Sequence, residues 1–162
     1  MNWYVLFVLT QYEDQFCEYL KKEHGADIFS AKMEYYRKDR NQIEMKSIFP
    51  GYLFVLSDKN QEDFNDWLQN IQLKKGLIKQ LRYKEAAALL PEEIKILETF
   101  LDKERVFRMS YGVLENNRLV IEKGPLTGFD SYITKYDKRN CLAKLDLYFL
   151  NQQWKAGVII QR

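Results

Sequence analysis

The sequence predicts an α+β domain, a mostly antiparallel sheet covered by helices, followed by a small all-β barrel. Three observations carry that expectation. Residues 3–9 and 49–56 are short aromatic and β-branched runs, apolar on both faces, as strands buried from both sides are. Stretches with apolar residues at helical spacing alternate with them up to about residue 101. From about Asp102 the pattern changes, and after Gly112 only short strand-like runs separated by turn residues follow, the pattern of a small barrel. The composition, 46% hydrophobic and 30% charged over 162 residues, is globular and excludes disordered, collagenous and membrane-spanning classes. A chain of this length can bury a core without disulfide staples.

Residues 3–9 read as the first, central strand. Thr10 and Glu13 have capping-box spacing, and Tyr12, Phe16, Tyr19 and Leu20 then share one face as far as Gly25, so a helix is expected over about 11–24. Residues 28–37 read as a strand running into Arg37-Lys38-Asp39-Arg40-Asn41-Gln42, a hairpin tip from which 43–46 return. The Pro50-Gly51 turn feeds the second all-apolar strand. Phe64, Trp67, Leu68 and Ile71 mark a second helix, and 77–83 can form a short strand after Gly76. Pro91 opens a third helix, with Glu92 and Glu93 where carboxylates suit the dipole and Ile94, Leu97 and Leu101 as its apolar stripe.

Strands are then expected at 118–122, 132–136, 141–150 and 157–160. In the third of these Ala143, Leu145, Leu147 and Phe149 alternate with Lys144, Asp146 and Tyr148. The change of pattern sets a boundary between Asp102 and Gly112, giving domains 1–104 and 113–162 joined by a linker at 105–112. The net charge of +2 argues against a polyanion-coating protein, yet it divides unevenly. Residues 1–112 carry 17 Lys plus Arg against 18 acids, and residues 113–162 carry 8 against 5, so the basic surplus sits in the smaller domain.

Catalysis has no obvious home. There is one histidine, His24, and no Gly-x-Ser-x-Gly elbow, Walker loop or Gly-x-Gly-x-x-Gly, so no enzyme is expected. His24, at the end of the first helix, suits the dipole there. Cys17 and Cys141 are too few and too far apart for a zinc site with one histidine; they read as buried hydrophobes in a reducing cytoplasm, and neither a metal nor a cofactor is expected. The N-terminal run lacks a basic leader and meets Gln11, Glu13 and Asp14, so it reads as neither a signal peptide nor a membrane span, which points to the cytoplasm.

Binding chemistry is better represented. With 10 Phe, 11 Tyr and 3 Trp, the chain has more aromatic residues than a core of this size needs, and the surplus can anchor a partner. If one sheet face is left open, Phe7, Phe49 and Tyr52 form a hydrophobic landing site; if it is covered, they are core. In the barrel, Lys135, Tyr136, Lys138 and Arg139 form a basic turn with Lys144 on the outward face of the next strand. Such a turn touches phosphates and stacked bases, or is simply solvated.

Three segments, in order, resemble one family. Trp3-Tyr4-Val5, Phe49-Pro50-Gly51-Tyr52-Leu53-Phe54-Val55 and Gly124-Pro125-Leu126-Thr127-Gly128 are similar to segments of the NusG family of transcription elongation factors, and Lys75-Gly76-Leu77 with Leu81-Arg82 resembles the strand before that family's last N-terminal helix. The resemblance implies a NusG N-terminal (NGN) domain, a linker and an SH3-like KOW barrel. It implies that the first domain grips the clamp helices of the RNA polymerase β′ subunit and suppresses pausing and termination. Phe7, Phe49 and Tyr52 would line the polymerase-facing concavity. The KOW domain would engage nascent RNA, a ribosomal protein or Rho. The sequence departs from the usual KOW pattern at Ser131 and at Asn116-Asn117, and the stretch from Gly124 to Arg139 resembles specialised paralogs of the LoaP type. That reading implies an antitermination factor whose KOW domain contacts a nascent RNA hairpin through Lys135, Tyr136, Lys138, Arg139 and Lys144. The alternatives are a general factor binding ribosomal protein or Rho, and an RfaH or UpxY type recruited by non-template DNA through Arg37, Lys38 and Arg40. A monomer without membrane contact is expected.

Overall fold

A computed structural model describes residues 1–71 and 86–161. The elements, in chain order, are β1 (Asn2–Phe7), α1 (Glu13–His24), β2 (Asp27–Phe29), β3 (Lys32–Arg37), β4 (Gln42–Ser47), β5 (Tyr52–Ser57), α2 (Gln61–Asn70), β6 (Ala87–Ala88) and α3 (Pro91–Phe100), followed by β7 (Val106–Phe107), β8 (Ser110–Glu115), β9 (Arg118–Lys123), β10 (Ile133–Asp137), β11 (Leu142–Phe149) and β12 (Gln152–Ile160). The chain forms an N-terminal α/β region and a strand-rich C-terminal part, the fold class the sequence predicts. Its contacts gather into two compact units, one of Met1–Ser30 with Phe49–Ile94, the other of Ala31–Ile48 with Lys95–Arg162.

The first unit holds a four-stranded antiparallel sheet in the order β2-β5-β1-β6. β1 lies between β5 and β6, and its side chains are buried on both faces, Trp3 and Val5 on one and Tyr4 and Leu6 on the other, which is why its sequence is apolar on both. Tyr4, Leu6, Val8, Ile28, Leu53 and Val55 share one core with Phe16, Cys17 and Leu20 of α1 and Phe64 and Leu68 of α2. Within that core the Tyr4 ring stacks on Phe64 at 3.9 Å. α1 starts two residues later than expected, because Gln11 takes a left-handed conformation (φ 82°) and puts Tyr12 at the cap. The Thr10–Glu13 box therefore does not form; the Glu13 carboxylate accepts from the Gln11 N–H instead. The helix ends at Gly25 as the sequence predicts, with the Gly25 N–H donating to the Lys21 carbonyl and the Ala26 N–H to that of Leu20. Asn60 caps α2 by accepting from the Asp63 N–H at 2.8 Å, and the Leu90 N–H donates to Glu93 at 2.9 Å at the start of α3. The strand expected at 77–83, and the resemblance carried by Lys75-Gly76-Leu77 and Leu81-Arg82, lie outside the described residues.

The expected single strand 28–37 proves to be two strands belonging to different sheets, β2 in the first unit and β3 in the second. The break falls at Ser30-Ala31, where the backbone changes partners: the Ala31 carbonyl accepts from the Ile48 N–H, and the Lys32 N–H donates to the Arg105 carbonyl. β3 then pairs antiparallel with β4 and parallel with β7, an arrangement that an apolar pattern alone does not encode. Residues 105–112, read from sequence as a linker, carry β7 and the start of β8, with Val106, Phe107, Met109 and Ser110 buried. A five-stranded sheet follows in the order β10-β11-β12-β8-β9, antiparallel apart from the β12–β8 pair. Tyr132, expected to open β10, belongs to a short 3-10 turn. Along β11, Ala143, Leu145 and Phe149 are buried as the alternation predicts. Trp154 is fully buried, its ring 5.8 Å from those of Phe100 and Phe107. β3 approaches β12 so closely that a Cβ on Gly157 would sit 2.6 Å from the Glu34 carbonyl oxygen, a contact only glycine allows. Among the described residues no helix is long and apolar enough to cross a membrane.

Candidate functional site

The residues of the first sheet that alternate with its helix-side core make a second aromatic set. Trp3 meets Phe29 edge-on at 5.7 Å, Phe29 stacks on Phe54 at 5.2 Å, and Phe49 meets Phe54 edge-on at 6.2 Å. Farther along, Phe7 and Tyr52 face each other across β1 and β5 with their rings 5.2 Å apart. Of the three residues singled out from sequence, the structure thus brings Phe7 and Tyr52 into one half-buried pair, while Phe49 is only 2% exposed. The turn between Phe49 and Tyr52 explains the local motif. Pro50 presets the first turn position, Gly51 supplies φ 87° at the second, and the Tyr52 N–H closes the turn on the Phe49 carbonyl at 3.1 Å. A bond from the Val8 N–H to the Gly51 carbonyl, at 2.8 Å, ties this turn to the strand carrying Phe7.

The basic residues gather in the second unit. In the turn between β10 and β11 the Asp137 carboxylate accepts from the Asn140 side chain at 2.7 Å and from the backbone N–H groups of Asn140 and Arg139. These bonds, that of the Asn140 side chain foremost, hold its carboxyl below the ordinary aspartate range. With Asp137 engaged by the turn, Lys138 and Arg139 have no ion-pair partner among the described residues. The hairpin tip behaves differently. Arg37 is held by Asp39 at 2.6 Å and by Glu44 at 3.5 Å, and Arg40 by Glu44 at 3.4 Å. The Arg37 bond keeps the Asp39 carboxyl low, and the Gln42 amide, with Arg37 and Arg40, does the same for Glu44.

Lys38 alone of the three tip cations has no carboxylate, and its Nζ donates to the Lys138 carbonyl at 3.3 Å. The two basic turns, expected from sequence to serve different nucleic acids, therefore meet at one surface. A groove of about 400 Å³ there is lined by Tyr35, Lys38, Lys46, Arg139 and Asn140 among others. The Tyr136 hydroxyl donates to the Val158 carbonyl at 2.8 Å, and burial pushes its pKa well up, so it is a fixed donor within the sheet. Lys135 and Lys144 are directly opposed across β10 and β11. Sequence reasoning missed Lys155, opposed to Lys144 across β11 and β12, and Lys46, close enough to Lys155 for their charges to interact. No sequence signal marks these two, because only the strand register brings them beside Lys144.

A helix-backed antiparallel sheet whose other face carries a second, largely buried aromatic set, followed by a small strand-rich domain with a basic turn, defines a two-part protein of the NGN and KOW-like kind. The chain matches the family described as transcription termination factor nusG over residues 1–98. It belongs to the NusG family of transcription factors. It is also similar to the transcription termination/antitermination protein NusG of Borreliella burgdorferi, with 24% identity over 151 residues, covering 83% of this chain and 82% of that relative.

Proposed function

We propose that the chain is a cytoplasmic transcription antitermination factor that works without enzymatic activity or cofactor. Its N-terminal domain, residues 1–104, docks the Phe7–Tyr52 pair on the clamp helices of the RNA polymerase β′ subunit, with Phe49 packed behind, and suppresses pausing and termination. Its KOW domain, residues 113–162, contacts a hairpin in the nascent RNA, as a specialised paralog of the LoaP type. Lys135, Lys138, Arg139 and Lys144 supply the phosphate contacts.

The observation that carries the RNA reading is the engagement of Asp137 by its own turn, which leaves Lys138 and Arg139 free for an external anion. Arg37 and Arg40 are already ion-paired, which favours RNA at the barrel over non-template DNA at the hairpin tip. The full chain is titrated with a labelled RNA hairpin across a salt series. Replacing Lys138 and Arg139 by Ala is expected to flatten the dependence of log K on log salt by about 0.7 to 0.9 for each lost contact. An unchanged slope removes the turn from the interface. Binding of the full chain to ribosomal protein or Rho, without preference for RNA, would make it a general elongation factor.

A further inference from the structure

Lys135, Lys144 and Lys155 stand directly opposite one another on three consecutive strands, β10, β11 and β12. Directly opposed residues of antiparallel strands share a face, and neighbouring strands lie about 4.8 Å apart. The buried neighbours Ala143 and Ala156 occupy the other face, so the three lysines form a row across the outside of the sheet. Lys46 of β4 extends it: its Nζ lies over the Tyr35 ring at 4.6 Å, and partial burial with the nearby Lys155 charge pushes its pKa down. None of the four has an ion-pair partner among the described residues. Like charges directly opposed across strands oppose folding. The Asp137 charge acts on Lys135, but that carboxylate is engaged by its own turn, and a row with no ion pair of its own fits a surface that meets an extended polyanion.

We infer that Lys46, Lys155, Lys144 and Lys135 form a track for the phosphate backbone of an RNA strand, running from the β3–β4 hairpin across the outer face of the C-terminal sheet. The inference deepens the RNA reading above and rests on it. It adds two residues the family resemblance does not supply, and it makes the hairpin part of the interface. Four-carbon stems let each ammonium settle on a successive phosphate without fixed geometry, so the track carries affinity and not base specificity. Tyr148, 64% exposed on the same face of β11 as Lys144, offers a ring on which a base can stack. That ring favours RNA over an acidic peptide.

The test uses the full chain and a labelled oligouridylate of about 12 nucleotides, a length within known single-strand site sizes. Lys46→Gln with Lys155→Gln is expected to flatten the salt slope by about 1.4 and to weaken binding about 25-fold at 0.1 M salt. The same chain without RNA is expected to melt no lower than the parent, because the change removes like-charge repulsion. Full RNA affinity and slope in the double variant, while Lys138→Ala with Arg139→Ala still weakens binding, overturns the track and leaves the basic-turn reading standing. Loss of affinity together with a lower melting temperature assigns the lysines a structural role and also overturns it. Displacement of the RNA by poly-glutamate of equal charge at equal concentration identifies an acidic protein as the occupant and does so too. A parent chain that binds the RNA hairpin but no oligouridylate overturns the track alone, and one that binds neither overturns both readings.

Discussion

The glycine that opens the KOW-like segment can be tested as a physical requirement. Gly124 has φ 104°, and a Cβ there would lie 2.6 Å from Ser110 Cα and 2.8 Å from the Met109 carbonyl oxygen. Both contacts are to backbone of a buried segment, and Ser110 is fixed further because its Oγ accepts from the buried Leu126 N–H at 3.1 Å. Gly124→Ala therefore combines left-handed strain of about 1–2 kcal/mol with overpacking of about 1–3 kcal/mol, a loss of about 2–5 kcal/mol. Gly128, four residues on, is the internal control. It has φ 85°, but a Cβ added there would meet nothing within 4 Å, so its alanine variant is expected to lose only the strain, about 1–2 kcal/mol. Urea unfolding followed by circular dichroism measures both. Equal losses for the two variants would refute the reasoning, since close approach is what distinguishes them.

Phe49→Ala is expected to cost about 3–5 kcal/mol of folding stability by denaturant melt, because the ring is buried against Phe54 and its removal leaves a cavity. The Asp102 carboxylate accepts from Arg108 Nε at 2.5 Å and from the N–H groups of Glu104 and Val106 at 2.9 and 3.1 Å. Partial burial pushes its carboxyl up, but these bonds prevail and hold it below the ordinary aspartate range. Its contribution is therefore present above the unfolded-state value and lost as the pH falls below about 4. Asp102→Asn is expected to lower stability at pH 7 by about 1–2 kcal/mol, a figure discounted for its partial exposure, and to reduce the acid sensitivity of unfolding.

Local chemistry was legible wherever one segment decides its own structure. The two-sided apolar run at the N-terminus reads as a central strand, Gly25 stops α1, and the alternation in β11 separates core from surface. What escaped the sequence depends on distant partners. The change of sheet at Ser30-Ala31 is set by Ile48 and Arg105, and the burial of Val106 and Phe107 joins the expected linker to the core. The site divides in the same way. Lys138 and Arg139 stand out as a basic turn, and Asn116-Asn117, a departure from the KOW pattern, takes the positive φ values of 51° and 64° that a tight β8–β9 turn needs. Nothing in the order of residues reveals that Glu44 neutralises Arg37 and Arg40, or that Lys155 stands opposite Lys144. Those facts exist only once register is set.

The most direct test is transcription through a pause and a terminator by purified RNA polymerase, with the full chain titrated in and compared with its Phe7→Ala, Tyr52→Ala variant. The chain is expected to shorten pauses and raise readthrough. The variant is expected to need about 30-fold more protein for the same effect, the equivalent of about 2 kcal/mol lost from an aromatic anchor. A parent chain that leaves pausing and readthrough unchanged, or a folded variant that acts at the parent's concentration, would contradict the account.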